Sequence, residues 1–139
     1  MKQELMDGAP VGSISACHPS GWIQTDIFTK WFHHFVHFVK PSADDPVLLI
    51  INGHYSHTKN IDVVDKAREH CAATVSLPPH STHKMQPLDV GFLKPLKTYW
   101  AQETETWLGS SNPSRVVWPS VVCKLFGPAY RRAATMKLQ

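Results

Sequence analysis

Apolar residues recur at intervals of three and four along residues 26–39, and this spacing predicts an amphipathic helix. The apolar positions are Ile27, Phe28, Trp31, Phe32, Phe35, Phe38 and Val39. Together they form one stripe on a helix of 3.6 residues per turn, so this face is expected to pack against a core. Thr25 stands where an N-cap belongs and Pro41 follows the last apolar residue, which predicts the two ends of the helix.

The next segments alternate between strand and helix patterns. Residues 47–51 form a continuous apolar run between Pro46 and Asn52-Gly53, which is typical of a central strand buried on both faces. Asn60 can cap a helix through about residue 71, with an Asp62–Lys66 pair outside. Residues 74–77 then read as a short strand. The alternation favours an α/β fold with a partly parallel sheet.

The two ends of the chain carry weaker patterns. Residues 11–17 are predicted to form a short strand after a Gly-Ala-Pro turn. Asp89 precedes a helical stripe that runs to Trp107. Residues 116–126 are apolar and predict a helix that is interrupted at Gly127-Pro128. We expect one domain across residues 1–139, without a separate linker.

Composition and charge narrow the class of protein. Hydrophobic residues make up 42% of the 139 residues and charged residues 18%, which is a globular composition. A formal net charge of +3 is compatible with a phosphate-bearing partner but does not argue for one. The three cysteines are widely spaced, so we expect buried thiols and no disulfides. The longest apolar run is too short to cross a membrane, and we expect an intracellular protein.

The candidate chemistry lies beyond the apolar strand. In open α/β sheets, ligands and catalytic groups gather at the carboxyl ends of the strands, and Asn52 occupies that point. Two pairs of histidines with HxxH spacing follow on neighbouring loops: His54 with His57, and His80 with His83. Imidazole pairs of this kind are compatible with zinc.

Three segments carry a resemblance to a known family. They are GWI at residues 21–23 with Phe28 and Trp31, LLIINGHYSH at residues 48–57, and LPPHSTHKMQPLDVG at residues 77–91. In this order and spacing they resemble the pogo, Tigger and jerky group of transposases, which have a DDE-superfamily endonuclease domain. The similarity covers roughly residues 5–136 and is strongest over residues 21–108.

The resemblance implies an RNase H-like fold and a nuclear protein that acts on DNA. Three carboxylates of the family hold two Mg²⁺ or Mn²⁺ ions, which activate the nucleophile and stabilise the leaving oxygen. The second acid falls on Asn52 and the third on Asp89, while the first belongs to a strand that would lie upstream of Met1. We therefore expect an incomplete fold, a mixed sheet that lacks its first two strands and is flanked by helices.

The resemblance also implies roles for the residues around these two positions. The motif residues are expected to orient the site and its loops, and they are His54, Ser56, His57, His80, Thr82, His83, Gln86 and Pro87. Lys84, Lys94 and Lys97 are candidates for phosphate contacts, with a merely solvated face as the alternative. The five tryptophans could stack on bases, but their spacing favours core positions.

The altered acids predict a loss of catalysis. Each contact between a cation and a carboxylate is worth about 4 kcal/mol at an effective dielectric near 20. Asn52 brings no charge, so metal binding at Asp89 is expected to be weak or lost and the chain to be inactive. Two alternatives stay open. One is an interaction module with an exposed sheet edge, through which a homodimer could form; the other is a fragment of an intact metal-dependent transposase.

Overall fold

The computed structural model describes residues 3–78, 80–110 and 116–135. In these residues the chain is mostly helical, with one two-stranded parallel sheet. The elements in chain order are a 3-10 turn at Gln3–Met6, α1 (Thr25–Val39), β1 (Val47–Ile51), α2 (Tyr55–Thr58), α3 (Ile61–Glu69), β2 (Ala72–Ser76), α4 (Thr82–Met85), a π-helical turn at Leu88–Phe92, α5 (Leu93–Ser110), a 3-10 turn at Pro119–Val121 and α6 (Val122–Ala134).

These elements divide into two compact units. One unit is Ala16–Gln86, which contains the sheet with α1 to α4. The other combines Met1–Ser15 with Pro87–Gln139 and contains α5 and α6.

Helix α1 confirms the amphipathic pattern of the sequence. Its residues Phe28 and Phe32 are buried, and its first residue is Thr25. Thr25 is therefore not the N-cap that was predicted: Gln24 occupies that position, without a side-chain capping hydrogen bond. At the other end Lys40 turns the chain with a φ of 54° and donates its backbone N–H to the carbonyl of Val36. The helix thus ends at Val39, two residues before Pro41.

The sheet joins β1 to β2 in parallel, with Val47 opposite Ala72 and Ile51 opposite Ser76. The prediction that β1 is buried on both faces is wrong, because burial alternates along the strand. Its inward residues pack against the core formed by α1 and α3, whereas Leu48 is 61% exposed and Ile50 38% exposed. The helices of this unit cover only one face of the sheet.

Helix α3 begins where the sequence predicted, with the Asn60 side chain accepting the backbone N–H of Val63 at 3.3 Å. It ends at Glu69, and β2 begins at Ala72 and ends at Ser76, slightly ahead of the predicted strand. Lys66 pairs with Glu69 at 2.8 Å. The sequence had predicted a pair of Lys66 with Asp62 instead. That pair is exposed, so it adds little to stability.

In the second unit an arginine joins the two long helices. Arg132 on α6 donates to the Glu103 carboxylate at 3.1 Å and to the Gln102 side chain at 2.9 Å. Its guanidinium also lies over the Tyr99 ring, 4.1 Å from the centroid. A planar guanidinium can make both kinds of contact at once, which lysine could not.

The predicted interruption at Gly127-Pro128 is wrong, since α6 runs through both residues. Gly127 is buried, and a Cβ there would collide with the backbone carbonyl of Gly8. Pro128 removes one backbone donor from the helix, but the face made by Leu125, Ala129 and Ala133 is buried. Tertiary packing supplies most of the stability of a protein helix, so it keeps α6 continuous here.

Several smaller expectations were also wrong. Residues 11–17 form turns and irregular chain and not a strand. Trp22 and Trp118 are 76% and 58% exposed and therefore not core residues. Cys17 is exposed rather than buried, although the three thiols are free as predicted. Within the described residues, none of the helices has the length and apolar content needed to span a membrane.

Candidate functional site

Asn52 lies directly after β1, at the carboxyl end of the sheet, where the sequence placed it. Its side-chain oxygen accepts two hydrogen bonds: from the backbone N–H of His54 at 3.2 Å and from Nδ1 of His57 at 2.8 Å. An amide oxygen can only accept, so His57 carries its proton on Nδ1 in this arrangement. Both bonds hold the half-buried Asn52 side chain in one orientation.

The His57 ring is held between Asn52 and α1. It packs against Phe28, with ring centroids 4.0 Å apart. Burial lowers the pKa of His57 below its ordinary value of 6.5, the charge of His54 lowers it further, and a hydrogen bond with the backbone of Asn52 opposes both effects. The Nε2 atom is buried and has no hydrogen-bond partner among the described residues. A neutral imidazole suits this position because a charged ring would be poorly solvated there.

His54 and Ser56 shape the loop that carries these groups. His54 is the N-cap of α2, and its Nδ1 accepts the backbone N–H of Ser56 at 3.4 Å. The same nitrogen lies 2.8 Å from the hydroxyl of Ser56, which is buried. The sequence prediction that these motif residues orient the loop remains a prediction, and the hydrogen bonds between His54 and Ser56 are consistent with it.

Asn60 anchors the loop to α1, and the sequence did not reveal this role. Its side-chain nitrogen donates to the Thr25 carbonyl at 3.2 Å and to the Thr29 hydroxyl at 2.9 Å. Because Asn60 also caps α3, one amide joins two helices beside the site. The one trace of this contact in the sequence is Thr29, whose hydroxyl on α1 accepts from Asn60.

Gly53 allows the ends of the two strands to approach each other. A Cβ at this position would lie 3.2 Å from the backbone carbonyl of Leu77, tighter than an ordinary contact. The backbone N–H of Leu77 in turn donates to the Ile51 carbonyl at 2.9 Å. The turn after β1 is therefore fixed against the segment that follows β2.

That segment is the second motif, and it forms an exposed turn followed by α4. His80 has a φ of 62°, and Ser81 donates its hydroxyl to the Pro78 carbonyl at 2.7 Å. His83 and Lys84 lie on α4 and are exposed. Gln86 is half-buried. The side chain of the predicted motif residue Thr82 lies outside the described structure.

Asp89 belongs to the other unit, where Pro87 precedes the π-helical turn Leu88–Phe92. It is half-buried. Asp89 precedes α5, as the sequence predicted, and it lies inside the widened turn that leads into this helix. Short π-helical segments are frequent at functional sites. Lys94 and Lys97 follow on α5 with exposed side chains, three residues apart and so on neighbouring positions of one helix face.

The Asn52 side chain does not suit a divalent cation. Among the described residues no three His, Cys, Asp or Glu side chains come together as a metal-binding group. The Asn52 oxygen is uncharged and already accepts two hydrogen bonds from the protein. Mg²⁺ and Mn²⁺ prefer several carboxylate oxygens, so Asn52 in this orientation offers them little.

Zinc is not favoured at the first histidine pair either. The Nδ1 atoms of His54 and His57 are both engaged, with Ser56 and Asn52 respectively. The other nitrogen of His57 is buried. A catalytic zinc site needs three protein ligands around an open position, and the described residues provide no such group.

Comparison with known proteins identifies the family. A protein of Cochliobolus lunatus described as "MFS-type transporter clz9" is 35% identical over 91 residues, which are 65% of this chain and 10% of that protein. The chain thus spans about a tenth of that relative's length. No solved structure matches it. Residues 8–117, most of the chain, match the family described as "DDE superfamily endonuclease". The family generally depends on divalent metal ions and acts on DNA, and this chain belongs to the DDE superfamily endonucleases.

Proposed function

We propose that this chain is a transposase-derived, DNA-binding domain of the pogo, Tigger and jerky group that does not cleave DNA. The family assignment supports the transposase-derived origin. The two segments LLIINGHYSH and LPPHSTHKMQPLDVG support the finer subgroup. We also propose that residues 1–139 belong to one RNase H-like domain, and that the protein works in the nucleus.

The state of Asn52 carries the proposal of inactivity. The position of the family's second acid holds an uncharged amide whose oxygen accepts N–H groups from His54 and His57. An aspartate in its place could accept the same two bonds and still bring a negative charge to a cation. The Asn52 amide accepts the hydrogen bonds of the loop but carries no negative charge, so a cation at this position would lack the second of the family's three carboxylates.

A nicking assay tests this directly. Supercoiled plasmid is incubated with the purified chain in Mg²⁺ or Mn²⁺, and we expect no nicked product. Asn52→Asp and Asp89→Asn are the matched variants. Cleavage by the unmodified chain that disappears in Asp89→Asn would overturn the proposal. Cleavage that appears only in Asn52→Asp would support it and would identify the amide as the cause.

DNA binding is the part of the proposal that rests on Lys94 and Lys97. Their exposed ammonium groups lie close together on α5, and Lys84 is exposed on α4. Each phosphate contact lowers the logarithm of the binding constant by about 0.9 per decade of salt. In the double variant Lys94→Gln with Lys97→Gln, we therefore expect the slope of the logarithm of the binding constant against the logarithm of the salt concentration to become shallower by about 2.

The matched control removes two charges from a different helix of the same unit. Lys124 and Arg131 are exposed on α6, and replacing both with glutamine changes the net charge by the same amount. Fluorescence anisotropy with labelled duplex DNA measures both variants. An equal loss of DNA affinity in the two double variants would mean that only net charge matters, and it would contradict the proposed role of α5.

A second candidate function is an interaction module, and the exposed side of β1 favours it. Leu48 and Ile50 present apolar side chains to solvent from a strand that has a partner on one edge only within its unit. Such a strand invites pairing with another chain. Association of this kind would be insensitive to salt, which separates it from DNA binding.

A further inference from the structure

We propose that Asn52 is a self-modifying residue, whose side-chain amide is converted to a carboxylic acid after attack by the Gly53 backbone nitrogen. This deamidation depends only on the loop that follows β1. Its meaning for the protein rests on the proposed function, because the new acid would stand at the position of the family's second acid. The proposal is carried by the fold of the Asn52 side chain, by the open Gly53 nitrogen, and by the donors that meet the Asn52 oxygen.

The reaction is a ring closure followed by hydrolysis, and water is its only reagent. The Gly53 nitrogen loses its proton and forms a bond to Cγ of Asn52. The carbon–nitrogen bond of the side-chain amide then breaks and ammonia leaves, which closes a cyclic imide. Water opens the imide at Cγ to give aspartate, or at the main-chain carbonyl carbon of residue 52 to give isoaspartate. No atom is oxidised or reduced.

The Asn52 side chain is folded towards Gly53. Its Oδ1 atom accepts the backbone N–H of His54, two residues further along the chain, at 3.2 Å. A side chain that bonds to the second amide ahead passes over the first one, as in an Asx turn. The turn thus brings the amide carbon over the nitrogen that attacks it. Holding two reacting groups together in this way removes much of the entropic cost of the reaction.

Gly53 leaves its nitrogen open to react. The residue is exposed, and among the described residues no hydrogen bond uses its backbone N–H. Glycine has no Cβ, so no side chain crowds the nitrogen during ring closure. A deprotonated Gly53 nitrogen can therefore reach the Asn52 amide without first breaking a hydrogen bond of the loop.

The two donors on Oδ1 of Asn52 lie where charge develops in the reaction. When the Gly53 nitrogen adds to Cγ, the amide oxygen becomes an oxyanion. That oxygen already accepts the His54 N–H at 3.2 Å and Nδ1 of His57 at 2.8 Å. The His57 ring is itself held against Phe28. Fixed donors of this kind stabilise the developing charge more than the neutral amide, so they promote the reaction.

The product changes the charge of the site. An aspartate at position 52 could accept the same two N–H groups and would add one negative charge. Isoaspartate would instead lengthen the main chain by one carbon between β1 and Gly53, where there is little room: a Cβ on Gly53 would lie 3.2 Å from the Leu77 carbonyl. We therefore expect the folded chain to form more aspartate than isoaspartate.

Peptide mapping by mass spectrometry tests the proposal on the full chain. The protein is aged at physiological pH and temperature, either folded or unfolded in urea, and each asparagine is followed by the mass gained when an amide becomes an acid. We expect Asn52 to convert faster in the folded chain than in the unfolded chain. Equal or slower conversion in the folded chain would overturn the proposal.

The other two asparagines of the sequence are internal controls. Asn60 precedes the branched residue Ile61, which crowds the attacking nitrogen, and Asn112 precedes Pro113, which has no N–H. Both should keep their amides while Asn52 converts. Conversion of all three at one rate would mean that the loop after β1 has no special reactivity, and this too would contradict the proposal.

His57→Phe tests the donors on the Asn52 oxygen. Phenylalanine keeps a ring against Phe28 but has no N–H, so conversion of Asn52 in the folded variant should slow at least about tenfold. His37→Phe is the matched control, since His37 is exposed on α1, and it should convert like the unmodified chain. Unchanged or faster conversion in His57→Phe would refute the role of the donors. Circular dichroism checks that each variant is folded, and the comparison of folded with unfolded unmodified chain needs no variant.

The result is separate from that of the DNA assays, because mass analysis involves neither DNA nor metal. Nicking by freshly purified chain would overturn the proposed inactivity and would leave the conversion of Asn52 unaffected. An Asn52 that keeps its amide in the aged, folded chain would refute this inference, and Asn52→Asp would still test the inactivity.

Discussion

Asn60→Ala should destabilise the unit that contains the sheet more than any other single change beside the site. Asn60 is 2% exposed. Its nitrogen donates to the Thr25 carbonyl and the Thr29 hydroxyl, and its oxygen accepts from Val63. Alanine removes these three bonds, together with the longer one from the same nitrogen to the Ser56 carbonyl at 3.4 Å, and leaves the Val63 N–H without its capping acceptor.

The magnitude follows from these contacts. Loss of an N-cap costs about 1 kcal/mol, and each further hydrogen bond contributes about 1 kcal/mol. We therefore expect Asn60→Ala to lower the free energy of unfolding by about 3 kcal/mol. Asn60→Ser keeps an oxygen for the cap but loses the reach to α1, so it should lose about 2 kcal/mol.

Urea unfolding followed by circular dichroism measures the loss, and hydrogen exchange at the Val63 amide localises it to α3. Thr29→Val completes a double-mutant cycle, since valine has a similar shape but no hydroxyl. Combined with Asn60→Ala it should show a coupling of about 1 kcal/mol. If the free energy of unfolding of Asn60→Ala lies within about 0.5 kcal/mol of that of the unmodified chain, the range of ordinary surface changes, Asn60 does not have the proposed role.

Two further predictions concern pH and packing. The pKa of His57 is lower in the folded chain than its ordinary 6.5, so the unfolded state binds more protons and stability should fall as the pH drops below 6.5 through that lowered value. His57→Phe keeps the ring packing on Phe28 and should lose less stability on acidification; an unchanged pH profile would contradict this. Gly127→Ala should lower the free energy of unfolding by about 1–3 kcal/mol or more, because the new Cβ collides with the Gly8 carbonyl. At Gly109 a Cβ meets nothing within 4 Å, so Gly109→Ala should stabilise α5 by about 0.5–1 kcal/mol. Thermal unfolding compares the two, and equal effects would show that the contact with Gly8 is unimportant.

The sequence predicted the elements whose own residues specify them. The stripe along α1, the apolar run of β1 and the Asn60 cap each depend on spacing within one segment, and all three are present. The family could also be recognised from the sequence, because its motifs are contiguous runs of residues. The place of Asn52 at the end of β1 followed from the same local pattern.

Local patterns failed where a distant segment decides the outcome. The residues Gly127 and Pro128 read as a break, but packing against Gly8 and the buried face of α6 keeps the helix intact. The apolar run of β1 read as buried on both sides, but burial requires a second layer, and the helices of its unit cover one face only.

What the amino-acid order determined by itself was the helix α1, the strand β1, the start of α3, the family, and the amide at the end of β1. Only the tertiary structure decided what that amide does. Its oxygen accepts hydrogen bonds from His54 and His57, and the His57 ring packs against Phe28 on α1, which comes much earlier in the sequence. The physical reason is that hydrogen bonds and burial depend on which atoms meet in space, and contacts between distant residues leave no periodic trace in the sequence.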